Sequence, residues 1–240
     1  MGASSLRRQI RRTATAQEAD VAAEIIAEAF TALQASAWLV PDPDERFAVL
    51  ADVFRIIVGH AFQYGQIDLV TPSTDRAQPT DRAQPTDRAN FSDRANFTDR
   101  SEAGPVGAAV WFHSEHPLPP PPDYAERLRL AAGEHTGRFE ILDDLFDAHH
   151  PHEPHHHLAL LAVRPAHQRS GIGRELLRHH HRILETNRIP AYLEASTLDS
   201  RRLYAAHGYR DRGAAFTLPN GAAFYPMWRE HGTPEGRTID

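Results

Sequence analysis

Apolar side chains recur along this chain with two different periods, and the periods divide it into elements. From Glu18 onward Val21, Ala22, Ile25, Ile26, Ala29, Phe30 and Leu33 fall three and four residues apart, the spacing of an amphipathic helix. Pro41-Asp42-Pro43-Asp44 is a turn and N-cap signal. It opens a second helix whose stripe is Phe47, Leu50, Phe54, Ile57, Val58 and Ala61, ended by Gly65. Leu6–Arg12 reads as a short edge strand, and Ile67–Val70 as another. Val106–Phe112 is an apolar strand that would pair with Ile67–Val70 as a hairpin. Pro117–Pro122 holds five prolines and predicts a stiff polyproline connector. Asp123 would cap a short helix through Arg129, and Phe139–Phe146 would form one more.

Leu158–Val163 is a continuous apolar run, which predicts a strand buried on both faces. A loop from Arg164 to Ser170 leads into a helix opened by Gly171-Ile172-Gly173, with Ile172, Leu176, Leu177, Ile183 and Leu184 on its apolar side. Pro190–Ala195 reads as a strand, Asp199–His207 as a short helix, Gly208-Tyr209 as the start of a strand, and Phe224–Trp228 as the last. Strands alternating with helices give an α/β fold with one mixed central sheet flanked by helices, and 1–240 is read as a single domain with its core motifs in 158–229.

Thr74–Ala103 breaks the pattern with five hexads: TDRAQP, TDRAQP, TDRANF, SDRANF and TDRSEA. A hexapeptide β-helix needs an inward aliphatic residue in every turn, and these units lack one. The expectation is therefore a flexible, disordered insertion over 71–103.

Composition removes several chemistries. The 240 residues include 32 acidic and 26 basic side chains, for a net charge of −6, and every basic one is Arg. With no Cys there is no disulfide, thiolate nucleophile or Cys-ligated zinc. With no Lys there is no Walker A lysine, no Schiff base and no Ser–Lys dyad. An acidic chain without a basic run argues against nucleic acid. The N-terminal arginines have no apolar stretch behind them, and no segment reads as a membrane span, so the expected location is cytoplasmic.

The chemistry concentrates at Gln168-Arg-Ser-Gly-Ile-Gly173, between a strand and a helix. Glycines let backbone approach a ligand, and a helix N-terminus offers free N–H groups to a pyrophosphate. A dinucleotide fingerprint fails here, because its third glycine would fall at Leu176 and the loop after Val163 is too long. The stretch Leu160–Gly173 instead resembles motif A of the GNAT acetyltransferase superfamily, Gln/Arg-x-x-Gly-x-Gly/Ala. Ser200-Arg-Arg-Leu-Tyr-Ala-Ala-His-Gly-Tyr209 is similar to its motif B, in the usual order and spacing with the strand Ala191–Ala195 between them. The likeness covers about 70 residues.

That resemblance implies acetyl-CoA as co-substrate and transfer of its acetyl group to a primary amine by direct attack in a ternary complex. It assigns the main chain of Leu161, Ala162 and Val163 to the pantetheine and acetyl carbonyl. The amides of Arg169, Ser170, Gly171, Ile172 and Gly173 would hold the pyrophosphate, with Arg174 beside them and Gln168 shaping the loop. Tyr204 matches the tyrosine that protonates the departing thiolate. Two departures stand out: Thr197 occupies a position where relatives often carry Asn, and the strand before the loop lacks a carboxylate. An attacking amine needs a base. Glu194 is preferred, with Glu153, His155 and His157 as alternatives and a water-mediated path also open.

Trp38, Asp42, Trp111, Tyr124 and Glu194 are candidates to line an acceptor pocket suited to a cationic amine. His179–His181 cannot converge on one ion, since successive helical residues point about 100° apart. The dense run His149–His157 is read as a surface loop lining the acceptor cleft, and no metal is expected. The acceptor itself, whether small molecule, peptide or protein amine, is left open, as is the oligomeric state. A non-catalytic acyl-CoA-binding regulatory module is the alternative function, and a scaffold displaying the repeat is a third.

Overall fold

The computed structural model describes residues 8–13, 15–72 and 104–232. Strands β1 (Arg8–Arg12), β2 (Gly65–Pro72), β3 (Gly107–Ser114) and β4 (His155–Val163) are neighbours in that order and antiparallel throughout. The expected hairpin is present as the β2–β3 pair, with Ile67 opposite Val110. Next to β4 lies β5 (Ala191–Ala195), the one parallel neighbour. Strand β8 (Ala223–Arg229) pairs antiparallel with β5, and the two-residue strands β6 (Arg210–Asp211) and β7 (Phe216–Thr217) pair with β8.

Period-two alternation sends successive side chains of the sheet to two helical layers. Ile67, Leu69, Ala108 and Val110 face helices α1 (Ala16–Phe30) and α3 (Pro43–Tyr64). Val70, Ala109 and Trp111 face helix α6 (Ile172–Asn187), where Ile172, Leu176, Leu177 and Leu184 are buried. Between α1 and α3 runs α2 (Gln34–Leu39); α4 (Tyr124–Ala132) and α5 (Thr136–His149) complete the first layer, and α7 (Leu198–Ala206) the second.

Several expectations are corrected. The first helix stops at Phe30 rather than Leu33, because the chain turns there and Leu33 N–H bonds to the Phe30 carbonyl before α2 begins. Asp123 does not cap α4 with its side chain; it sits in the left-handed region at φ 52°, which Asp tolerates. Thr71 and Pro72 belong to β2, paired with Gln9 and Arg8, so they are not part of an insertion. The remainder of that insertion, with the whole repeat Thr74–Ala103, lies outside the described residues. Gly208 and Tyr209 precede the strand at Arg210.

Strand β4 begins three residues before Leu158, since His155–His157 pair with β3, and His155 and His156 are buried. The histidine run is thus partly strand and not wholly surface loop. Nor is β4 buried evenly on both faces: Leu158, Leu160 and Ala162 are buried, while Ala159, Leu161 and Val163 are half-open. Helix α3 is long and apolar enough to cross a membrane by length and composition. Its apolar face is already used, with Leu50, Val53, Phe54, Val58 and Ala61 packed into the core beside α1.

Candidate active site

Strands β4 and β5 pair at only two positions, His156 with Ala191 and His157 with Tyr192. Beyond them no β4 residue pairs with β5, although β4 runs on to Val163 and β5 to Ala195. The sheet therefore opens as a wedge, and a cavity of about 1400 Å³ passes along it. Backbone groups on the open edge of β4 are left without strand partners.

One end of the wedge meets the start of α6. Gly171 is its N-cap, at φ 87°, a conformation that glycine adopts without strain, and no side chain caps the helix. The first N–H groups of α6 consequently point into the cleft with the helix's partial positive charge. Leu161, Ala162, Val163, Gln168, Arg169, Gly171, Ile172, Gly173 and Arg174 all line the cavity. Ser170 does not; its hydroxyl donates to the His167 carbonyl at 2.6 Å. Gln168 Nε2 donates to the Val163 carbonyl at 3.0 Å, tying the loop back to the strand. Arg178 and Arg202 add positive charge along the same wall.

Helix α7 positions Tyr204 in the wall of the cleft. Its N-terminus is fixed by a capping box: Thr197 Oγ1 accepts from Ser200 N–H (3.0 Å), and Ser200 Oγ accepts from Thr197 N–H (3.1 Å). An asparagine at this position would cap the helix at least as well. Replacing Thr197 by Ala is expected to lower unfolding stability by about 1 kcal/mol, and by Asn to leave it nearly unchanged, measured by denaturant titration. Burial pushes the Tyr204 phenol upward, so it stays protonated across the neutral range.

Glu194, on β5, faces the cleft with its side chain only 5% exposed, and accepts a hydrogen bond from His157 Nε2 at 2.9 Å. Burial alone would raise its carboxyl, but His157, the Tyr192 hydroxyl and His150 together outweigh that and hold it below the usual carboxylate range. His150, at the C-cap of α5, also lines the cavity, and burial lowers it to about 4. His155 donates Nδ1–H to the Glu153 carbonyl at 2.6 Å and is lowered to about 4 by burial. Glu153 is exposed and pairs with Arg212 at 2.7 Å.

The other end of the cavity is acidic and aromatic. Asp143 on α5 accepts from the Tyr124 hydroxyl at 2.7 Å, and burial raises it to about 6, with Asp147 and Asp144 adding to the rise. Phe139, Leu142 and Phe146, on the same face of α5, line the pocket beside Asp143 and Asp147. Of the five acceptor-pocket candidates, Tyr124 and Glu194 line the cavity. Trp111 does not: it is fully buried on the opposite side of the sheet, its ring stacked on His180 at 3.9 Å. Asp42 is spent capping α3, and Trp38 lies under Arg138 at 5.6 Å. Asp143, missed in the sequence, had a legible signal: it is a carboxylate on the apolar stripe Phe139–Leu142–Phe146.

The histidines on α6 do diverge. His180 contacts His156 at 2.9 Å and His181 the Tyr209 hydroxyl at 3.2 Å, while His179 stays partly exposed.

A wedge between parallel strands, an uncapped helix at its mouth and a tyrosine from the following helix thus meet in one cavity. Residues 133–211, the stretch that runs from just before α5 to β6, match the family described as an acetyltransferase (GNAT) domain. Among solved structures, the chain is similar to the histone acetyltransferase HPA2 and related acetyltransferase of Corynebacterium glutamicum, at 22% identity, covering 95% of this chain and 99% of that one, with a TM-score of 0.62. The C-terminal condensation domain of Ebony, solved with beta-alanyl-dopamine, matches at 13% identity over 94% and 99%, with a TM-score of 0.53. The PaiA N-acetyltransferase of Thermoplasma acidophilum, solved with coenzyme A, matches at 9% identity over 94% and 100%, with a TM-score of 0.50. No curated protein sequence matches the chain.

Proposed function

We propose that the chain transfers the acetyl group of acetyl-CoA to a small, partly apolar primary amine. The observation that carries this reading is the wedge between β4 and β5, with an uncapped α6 at one end and the Asp143–Tyr124 pocket at the other. The free N–H groups of Ile172 and Gly173, with Arg169, Arg174 and Arg178 near them, suit the phosphates of CoA. The open edge of β4 at Leu161–Val163 suits the pantetheine amides, and one N–H there would take the developing oxyanion. The coenzyme A complex of the Thermoplasma relative agrees with this occupant.

The amine enters as a cation, attracted by Asp143 and by the aromatic wall, and must lose a proton before its lone pair can attack. Glu194, with His157 hydrogen-bonded to it, takes that proton. The nitrogen adds to the acetyl carbonyl carbon, the carbon–sulfur bond breaks, and the Tyr204 hydroxyl gives its proton to the thiolate. The aromatic amine conjugate in the Ebony domain supports an acceptor of this shape.

The test is release of free CoA thiol with a panel of amines. Aralkylamines are expected to outrun both amino sugars and peptide N-termini, because Phe139, Leu142 and Phe146 line the pocket. Binding of acetyl-CoA without thiol release for any amine would instead favour a regulatory acyl-CoA-binding module.

Asp143 gives the reaction a pH signature. Below about pH 6 its carboxyl is protonated and neutral; above, it is charged and holds the amine. kcat/KM is therefore expected to rise through pH about 6, and Asp143→Asn to flatten that limb and lower the plateau about tenfold. The folded chain binds this proton more tightly than the unfolded chain does, so stability falls as pH rises between the two pKa values. Asp143→Asn should remove that component from a melting series.

A further inference from the structure

We propose that His150, His157 and Glu194 form a binding site for a divalent transition-metal ion, with Zn²⁺ the best-matched occupant. One nitrogen from each imidazole and one carboxylate oxygen lie within 4.8 Å of one another. Zinc bonds of 2.0–2.2 Å give a tetrahedron with edges of roughly 3.3–3.6 Å, so closure takes shifts of about 1 Å shared among three side chains. Two imidazoles and a carboxylate are the donor set of open zinc sites, in which a fourth position stays free. Magnesium and calcium prefer all-oxygen shells, which this site does not offer.

The three ligands are held by different elements. His150 closes α5, while His157 and Glu194 stand on the paired strands β4 and β5. All three line the cavity, so the free position faces the cleft. Glu194 supplies an independent pointer to a cation. Its side chain is 5% exposed, Oε2 accepts from His157, and Oε1 has no hydrogen-bond partner. The nearby Tyr192 hydroxyl is shared between Glu194 and the His149 carbonyl, 3.2 Å away. A buried carboxylate so sparsely paired is costly, and a cation would lower that cost. His155, whose ring lies 5.0 Å from that of His150, packs against the cluster without joining it.

This site does not depend on the acetyl-transfer reading, but it meets it. The ion would take the Glu194 oxygen and the His157 nitrogen that the amine proton needs. Metal occupancy therefore opposes turnover and acts as a brake at the acceptor end of the cleft.

The experiment uses the full chain without a polyhistidine tag, stripped by chelator. Zn²⁺ is titrated by calorimetry against a competing chelator, and Co²⁺ is followed by its visible absorption. One tight ion per chain is expected, with the intense Co²⁺ bands of four-coordination. His150→Gln and Glu194→Gln should each weaken it by more than about 100-fold, beyond the range seen for outer-shell changes. His135→Ala, in the separate group Glu45, Glu134 and His135, should leave it unchanged. Zn²⁺ should raise the melting temperature of the wild type and not of folded His150→Gln, because only a chain that binds is stabilised. Equal Zn²⁺ affinity in folded His150→Gln and wild type, or weak six-coordinate Co²⁺ absorption, would overturn the proposal.

Discussion

Replacing Tyr204 by Phe is expected to lower kcat about 100-fold, the ordinary scale of a lost general acid, while acetyl-CoA affinity changes by less than about twofold. The ring stays, so its packing against Tyr209 at 5.9 Å and its place in the cleft wall are kept. Only the hydroxyl proton is lost. Burial raises the phenol, which keeps it protonated and able to donate to a thiolate throughout the assay range. Acetyl donors with a better leaving group than CoA, such as a thiophenyl ester, should need that proton less and shrink the defect. Steady-state kinetics with both donors checks this. An equal loss with each would mean that the hydroxyl positions substrate and does not protonate the leaving group.

Glu194→Gln is the second large effect, expected to lower kcat/KM by about 100-fold or more through loss of the amine's proton acceptor. The amide is isosteric, and a folded variant is checked by its melting curve. The pH profile separates this residue from Asp143. His157 holds the Glu194 carboxyl below the usual range, so Glu194 is charged well before pH 6. The limb near pH 6 belongs to Asp143, and it should persist in Glu194→Gln and vanish in Asp143→Asn. Loss of the limb in Glu194→Gln would transfer it to Glu194.

Much of the proposed site could be read along the chain because its proposed cofactor end is built from backbone. Gly171 and Gly173, the run Leu160–Val163 and the short helix carrying Tyr204 are contiguous patterns, and a local pattern survives folding. The proposed acceptor end is assembled from α5, β4 and β5, residues far apart in sequence that only the sheet order brings together. That is why Trp111 misled: alternation along β3 turns it toward α6, a matter of register that aromatic character does not reveal. The same distance in sequence hides Asp143. The histidine run reads as a loop because imidazoles are polar, yet the pairing of β4 with β3 begins at His155, and His155 and His156 are buried. Helix α2 escaped because its six residues continue the stripe of α1 across a turn.

Acetyl-CoA binding measured by calorimetry, for the wild type and for Gly173→Asp, tests the central claim most directly. A side chain fits at Gly173, where a Cβ would meet nothing closer than Leu203 at 3.8 Å. An aspartate in the first turn favours the helix dipole and opposes a diphosphate. The account predicts saturable binding at one site per wild-type chain. In Gly173→Asp it predicts affinity lower by more than about 100-fold, with a melting temperature equal or higher. Folded wild type that binds no acetyl-CoA, or a variant that binds it equally well, would contradict the account.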